Sequence, residues 1–154
     1  MVDQSTTPDH IREGLAELTH DSLRGVDHVA IAVRDIDRSL EYFRDRLGLV
    51  VVHDETLGAP PVRLLFLDAG NVRIQLVQPL GPGRVATFLQ ERGEGLHHVC
   101  FRVGSIEETV DSLGLVRDGE IFTGAAGQPS CFLDDGESGA VIELTESAPR
   151  TLPR

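Results

Sequence analysis

A nine-residue stretch near the start of this chain returns 70 positions later. Gly25-Val-Asp-His-Val-Ala-Ile-Ala-Val33 lies without a gap over Gly95-Leu-His-His-Val-Cys-Phe-Arg-Val103, and Gly, His, Val and Val coincide at 25/95, 28/98, 29/99 and 33/103. A duplicated unit has to build two similar halves around a shared core, which removes most architectures from consideration. Both copies are β-rich and both are followed by a helix signal. In the first, Asp35 caps a stripe of Ile36, Leu40, Phe43 and Leu47, with Gly48 at the C-cap position. In the second, Ser105-Ile-Glu-Glu108 is a capping box, Val110 and Leu113 continue the Ile106 face, and Gly114 ends it. Further strands are predicted over Leu49–His53, Val62–Asp68 and Val72–Gln78, and over Leu115–Glu120, Ser130–Asp134 and Ala140–Thr145. Each half therefore reads β-α-β-β-β, repeat one over 25–78 and repeat two over 95–146, within one α+β domain of residues 25–146. The glycine-rich link between them carries a short helix around Val85, Phe88 and Leu89. Residues 1–24 are an extension in which Ile11, Leu15 and Leu18 trace one face of a helix over Pro8–Leu18. Residues 147–154, with two prolines, read as a loose tail.

Charge narrows the function. The 154 residues hold 14 basic and 25 acidic side chains, a net charge of −11, which argues against a nucleic-acid partner. Every basic residue is arginine. The absence of lysine excludes Schiff-base chemistry and a lysine general base. No tryptophan and one tyrosine leave no platform on which bases would stack. No apolar run approaches the ~20 residues of a membrane span. Residues 1–10 are polar and lack the features of a secretory signal, so a soluble, cytoplasmic protein is expected. Cys100 and Cys131 are too few for a disulfide framework and read as buried strand residues.

Alternation along the strands singles out one set of polar residues. His28 shares a face with Ala30 and Ala32, His98 with Cys100 and Arg102, and Val29, Ile31 and Val33 point the other way. In the last strand of each half, Gln75 and Glu143 occupy equivalent mid-strand places 68 residues apart. Two histidines, a glutamine and a glutamate at pseudo-symmetric positions suit a divalent metal ion, without distinguishing Co, Mn, Ni, Zn, Fe and Mg. One carboxylate against a doubly charged ion leaves positive charge that can stabilise an enolate. Arg102, two residues beyond His98 on its face, is the arginine expected to reach a substrate carboxylate. His97, on the opposite face, is expected to serve structure.

Asp27-His-Val-Ala-Ile-Ala-Val33, Arg73-Ile-Gln-Leu-Val-Gln-Pro79, Gly95-Leu-His-His-Val99 and Gly139-Ala-Val-Ile-Glu-Leu144 resemble the vicinal oxygen chelate (glyoxalase/bleomycin resistance) superfamily. Within it they are most similar to the methylmalonyl-CoA epimerases, a likeness that covers Val26–Glu146 and includes the linker from Thr87 to Val99. The resemblance implies two βαβββ modules curved into a half-barrel, a homodimer, and His28, Gln75, His98 and Glu143 as metal ligands. It implies a small-molecule carbonyl or acyl-CoA substrate, whose proton next to the carbonyl is abstracted, with Glu143 as one acid/base group. Two departures stand out. A second family glutamate, in the segment after the second strand, falls on Ala59. Asp134-Asp-Gly136 replaces a family His-Pro-Lys type turn. Inversion with another residue in place of that glutamate is one expectation. A one-base isomerase, cyclase or lyase is a second, and a non-enzymatic binding module is a third.

Overall fold

A computed structural model describes residues 22–134 and 139–147. The helix expected over Pro8–Leu18 and the tail beyond Ser147 lie outside the described residues. Strand β1 (Leu23–Ala32) runs into helix α1 (Ile36–Leu40), capped by the Asp35 carboxylate, which accepts from the Arg38 amide at 3.2 Å. Three strands follow: β2 (Val50–Gly58), β3 (Pro61–Asp68) and β4 (Arg73–Pro79). Helix α2 (Arg84–Arg92) leads into β5 (Gly95–Val103), and helix α3 (Ile106–Leu113) begins at the expected Ser105 cap. The chain closes with β6 (Phe122–Thr123), β7 (Pro129–Phe132) and β8 (Ile142–Glu146).

These strands form one mixed sheet in the order β2-β3-β4-β1-β5-β8-β7-β6. Within each half the first and last strands are parallel, β1 with β4 and β5 with β8, and the helix makes the crossover. The halves join through the antiparallel β1–β5 ladder, where Val29 sits opposite Val99. These two valines are equivalents in the repeat, so the pseudo-two-fold axis passes between them. The sheet also curls. Glu55 on the edge strand β2 accepts a 2.8 Å hydrogen bond from the amide of Ala126, in the turn Ala125–Gly127 before β7 near the other edge. Segments far apart in strand order meet only when the sheet bends into a half-barrel.

The convex face carries α1 and α3. Val33, Ile36 and Leu40 pack there with Leu65, Leu67 and Leu76, and Val103, Ile106, Cys131 and Leu144 form the counterpart in the second half. A third cluster, Ala32, Val62, Leu64, Phe66, Val77 and Leu89, lines the other face. Both cysteines are buried and unpaired, as expected. Among the described residues no helix is long and apolar enough to cross a membrane.

Two expectations need correction. The Ile36–Leu47 stripe does not stay on one helix face. After α1 the chain winds as a π-helix over Glu41–Arg46, with Leu47 N donating to Tyr42 O at 3.0 Å. The extra residue per turn swings Leu47 off the buried face, where it is 53% exposed. The strand expected over Leu115–Glu120 is reduced to a single bridge between Arg117 and Leu133. Gly119, at φ +94°, turns the chain away there, and the two-residue β6 takes the edge.

Candidate metal centre

Register explains why four residues distant in sequence meet. One row across the sheet reads His53, Phe66, Gln75, Ala30, His98. The neighbouring row on the same face reads Arg73, His28, Cys100, Glu143, Phe132. Ala30 separates Gln75 from His98, and Cys100 separates His28 from Glu143. Both are fully buried and small, so the four long polar side chains project over them into one space. His28, Gln75, His98 and Glu143 are each at most 8% exposed and line a cavity of about 530 Å³.

Two nitrogens in that space lack ordinary partners. Nε2 of His28 and Nε2 of His98 are buried without a hydrogen bond. They stand 3.9 Å and 3.3 Å from the two carboxylate oxygens of Glu143. Orphaned buried donors or acceptors are costly, and two imidazoles converging on one carboxylate have the pattern of a metal site. Burial, then the charges of His28, His97 and Arg84, holds His98 well below the usual imidazole range, so it is the neutral ligand form that stands there. Burial pushes the Glu143 carboxyl up, against the pull of His28.

The surroundings orient these groups. His28 Nδ1 donates to Asp27 Oδ2 at 2.7 Å, which turns Nε2 toward the cavity. Asp27 is 3% exposed and also accepts from Arg73 Nη2 and, at 3.4 Å, from Ser147 Oγ. Burial alone would raise its pKa, but the hydrogen bond and charge of His28, followed by those of Arg73, hold it well below the carboxylate range. His97 Nδ1 lies 2.6 Å from His98 Nδ1, and its ring meets Phe88 edge-on at 4.9 Å.

Arg102 stands elsewhere than the sequence suggested. Its Nη1 lies 3.6 Å from Asp27 Oδ1, and it is not among the residues lining the cavity. Arg73 does line the cavity, with its guanidinium 4.3 Å from the Phe66 ring centre. Arg84 also lines it, over Phe132 at 4.2 Å and donating to Asp118 at 2.8 Å, while Arg63 is tied to Asp37 and Asp54. Asp27 escaped the sequence reading because neighbours on a strand point to opposite faces. A register shift between Val26 and His28 breaks that alternation and brings the Asp27 carboxylate beside the His28 ring. Ala59, at the tip between β2 and β3, is exposed and outside the cavity lining.

Comparison with known proteins agrees with this geometry. The sequence profile of the Glyoxalase/Bleomycin resistance protein/Dioxygenase superfamily matches residues 27–132. The mitochondrial methylmalonyl-CoA epimerase of Homo sapiens is 32% identical over 133 residues, 82% of this chain and 76% of that protein. The crystal structure of methylmalonyl-CoA epimerase from Mycobacterium tuberculosis superposes with a TM-score of 0.77 at 32% identity, covering 86% of this chain and 93% of that one. A variant of the Streptomyces coelicolor methylmalonyl-CoA epimerase, in complex with 2-nitronate-propionyl-CoA, gives 0.75 at 28% identity, covering 86% and 100%. Duplicated modules, a curled eight-stranded sheet and this profile match lead to one conclusion: the chain belongs to the Glyoxalase/Bleomycin resistance protein/Dioxygenase superfamily.

Proposed function

We propose that this chain is a metal-dependent isomerase that epimerises methylmalonyl-CoA or a closely similar 2-substituted malonyl thioester. The observation that carries the reading is the convergence of two partnerless imidazole nitrogens on the buried Glu143 carboxylate. The epimerase relatives supply the substrate class. His28, Gln75, His98 and Glu143 would hold the ion, and Ala30 and Cys100 leave it room. A bound divalent ion supplies a Lewis acid that lowers the cost of negative charge building on the substrate carbonyl oxygen.

The chain's own groups do the rest. Glu143 is the proposed acid/base on one face of the substrate carbon, because its carboxylate reaches the cavity and its burial favours taking up a proton. Arg73 and Arg84 put positive charge on the cavity wall of a chain whose net charge is −11, which suits a substrate carrying carboxylate and phosphate groups. Arg102 enters as a positioning residue through Asp27. The working unit is residues 25–146. The same reading includes a homodimer in the cytoplasm, and Val50 and Val52 are exposed apolar residues on the edge strand β2.

The test is metal-reconstituted protein with a single methylmalonyl-CoA epimer in D2O, followed by NMR and chiral analysis. Deuterium entry together with inversion is expected. Neither event in protein with confirmed bound metal refutes the substrate class.

A further inference from the structure

Inversion at a carbon needs a proton removed on one face and returned on the other. Glu143, on β8, serves one face under the function proposed above, on which this inference rests. The opposite wall belongs to the first half, at β2. Its residues alternate between exposed and half-buried, and the half-buried set includes His53, Glu55 and Leu57. The side chains of His53 and Leu57 line the cavity. His53 lies in the same row as Gln75 and His98, beyond Phe66. Phe66 meets the His28 ring at 5.3 Å and the His53 ring at 6.0 Å, so a single aromatic side chain separates His53 from a proposed ligand.

The other ionisable groups lining the cavity are committed. Asp27 is held by His28 and Arg73, and Asp68 accepts from the Gly70 amide. Arginine donates and does not take up a proton at ordinary pH. His53 remains. Its Nε2 is 2.9 Å from Glu55 Oε2, and that same oxygen accepts from Ala126 N at 2.8 Å. Glu55 is thus fixed between the two halves of the barrel and fixes the ring in turn. Its carboxyl is held below the usual range by the Ala126 amide and then by His53, so it stays an anion.

We infer that His53, held by Glu55, is the acid/base group that faces Glu143 across the substrate. The step balances without a co-reactant. One of the two groups takes the α-proton as the C–H bond breaks and its electron pair moves toward the carbonyl. The other then delivers a proton from its own face as the C–H bond reforms. The reverse reaction exchanges their roles.

The experiment uses the metal-loaded full chain and each methylmalonyl-CoA epimer separately in D2O. His53→Ala is expected to lower inversion by at least about 100-fold, with metal content unchanged. One epimer, the one whose α-proton faces Glu143, continues to exchange with solvent, and the other does not. His53→Gln keeps a partner for Glu55 but cannot carry a proton, so it should behave alike if the alanine variant folds poorly. His53→Glu should recover at least tenfold of the lost inversion. Inversion within threefold of wild type in His53→Ala and His53→Gln overturns the inference, as does equal loss of exchange for both epimers. Wild-type protein that neither exchanges nor inverts either epimer refutes the proposed function and this inference with it, a result seen before any variant is made.

Discussion

Replacing Asp27 by asparagine tests whether the carboxylate behind the site, and not only the ligand set, tunes metal binding. Asp27 places one oxygen 2.7 Å from His28 Nδ1 and on Arg73, and the other 3.4 Å from Ser147 and 3.6 Å from Arg102. Asparagine keeps an oxygen for the imidazole but removes the charge that favours the tautomer with Nε2 free. Such a carboxylate contributes roughly 10–100-fold to metal affinity, about 1.4–2.8 kcal/mol. The upper end is expected, because Asp27 is only 3% exposed and solvent does not substitute for it. Asp27→Ala goes further and leaves Arg73 and Arg102 without a counter-charge, at a cost of about 3 kcal/mol in folding stability. This is the low end for a broken buried pair, because the Arg73 side chain keeps 27% exposure. The assay is calorimetric titration of metal-free protein with Co2+ or Mn2+, paired with urea unfolding of the same samples. Asp27→Asn protein that binds either ion within twofold of wild type refutes the reasoning.

Three further outcomes are expected. His98→Ala and Glu143→Ala each lose both bound metal and turnover, whereas Cys131→Ala, buried on the convex side, keeps both; elemental analysis beside an activity assay decides, and full turnover in metal-free Glu143→Ala protein sinks the site assignment. Ala30→Leu puts a large side chain between Gln75 and His98 and should cut metal affinity more than tenfold with the sheet intact by circular dichroism; unchanged affinity would show that the row does not need a small residue there. Arg102→Ala should weaken metal uptake with KM for substrate unchanged, while a rise in KM with full metal occupancy would restore the role of substrate-carboxylate partner to Arg102.

Some of this protein is carried by local pattern and some is not. The repeat places His28 and His98 because equal side-chain alternation in two copies puts equal residues on equal faces. Gln75 and Glu143 follow from the same alternation in the parallel partner strands. The Asp35 and Ser105 caps are local chemistry and stand where their side chains demand. Leu115–Glu120 has the apolar content of a strand, but the turn at Gly119 outweighs that propensity. The π-turn at Glu41–Arg46 left no mark in the helical spacing, because its extra residue is accommodated by how Leu40 and Phe43 meet the sheet.

The sequence by itself thus determined the duplicated modules, the face on which the four proposed ligands lie, and the chemistries that a chain without lysine forgoes. Only the tertiary structure decided what stands around those four. The shift at β1 that turns Asp27 onto His28 is a register effect, and register is set between strands rather than along them. Arg102 lies outside the cavity lining, with its Nη1 3.6 Å from Asp27 Oδ1. His53 faces the cavity because the sheet curls until β2 reaches the Ala125–Gly127 turn, a contact 71 residues apart in sequence. Curvature of that kind comes from the twist summed over eight strands, which no single segment of the chain encodes.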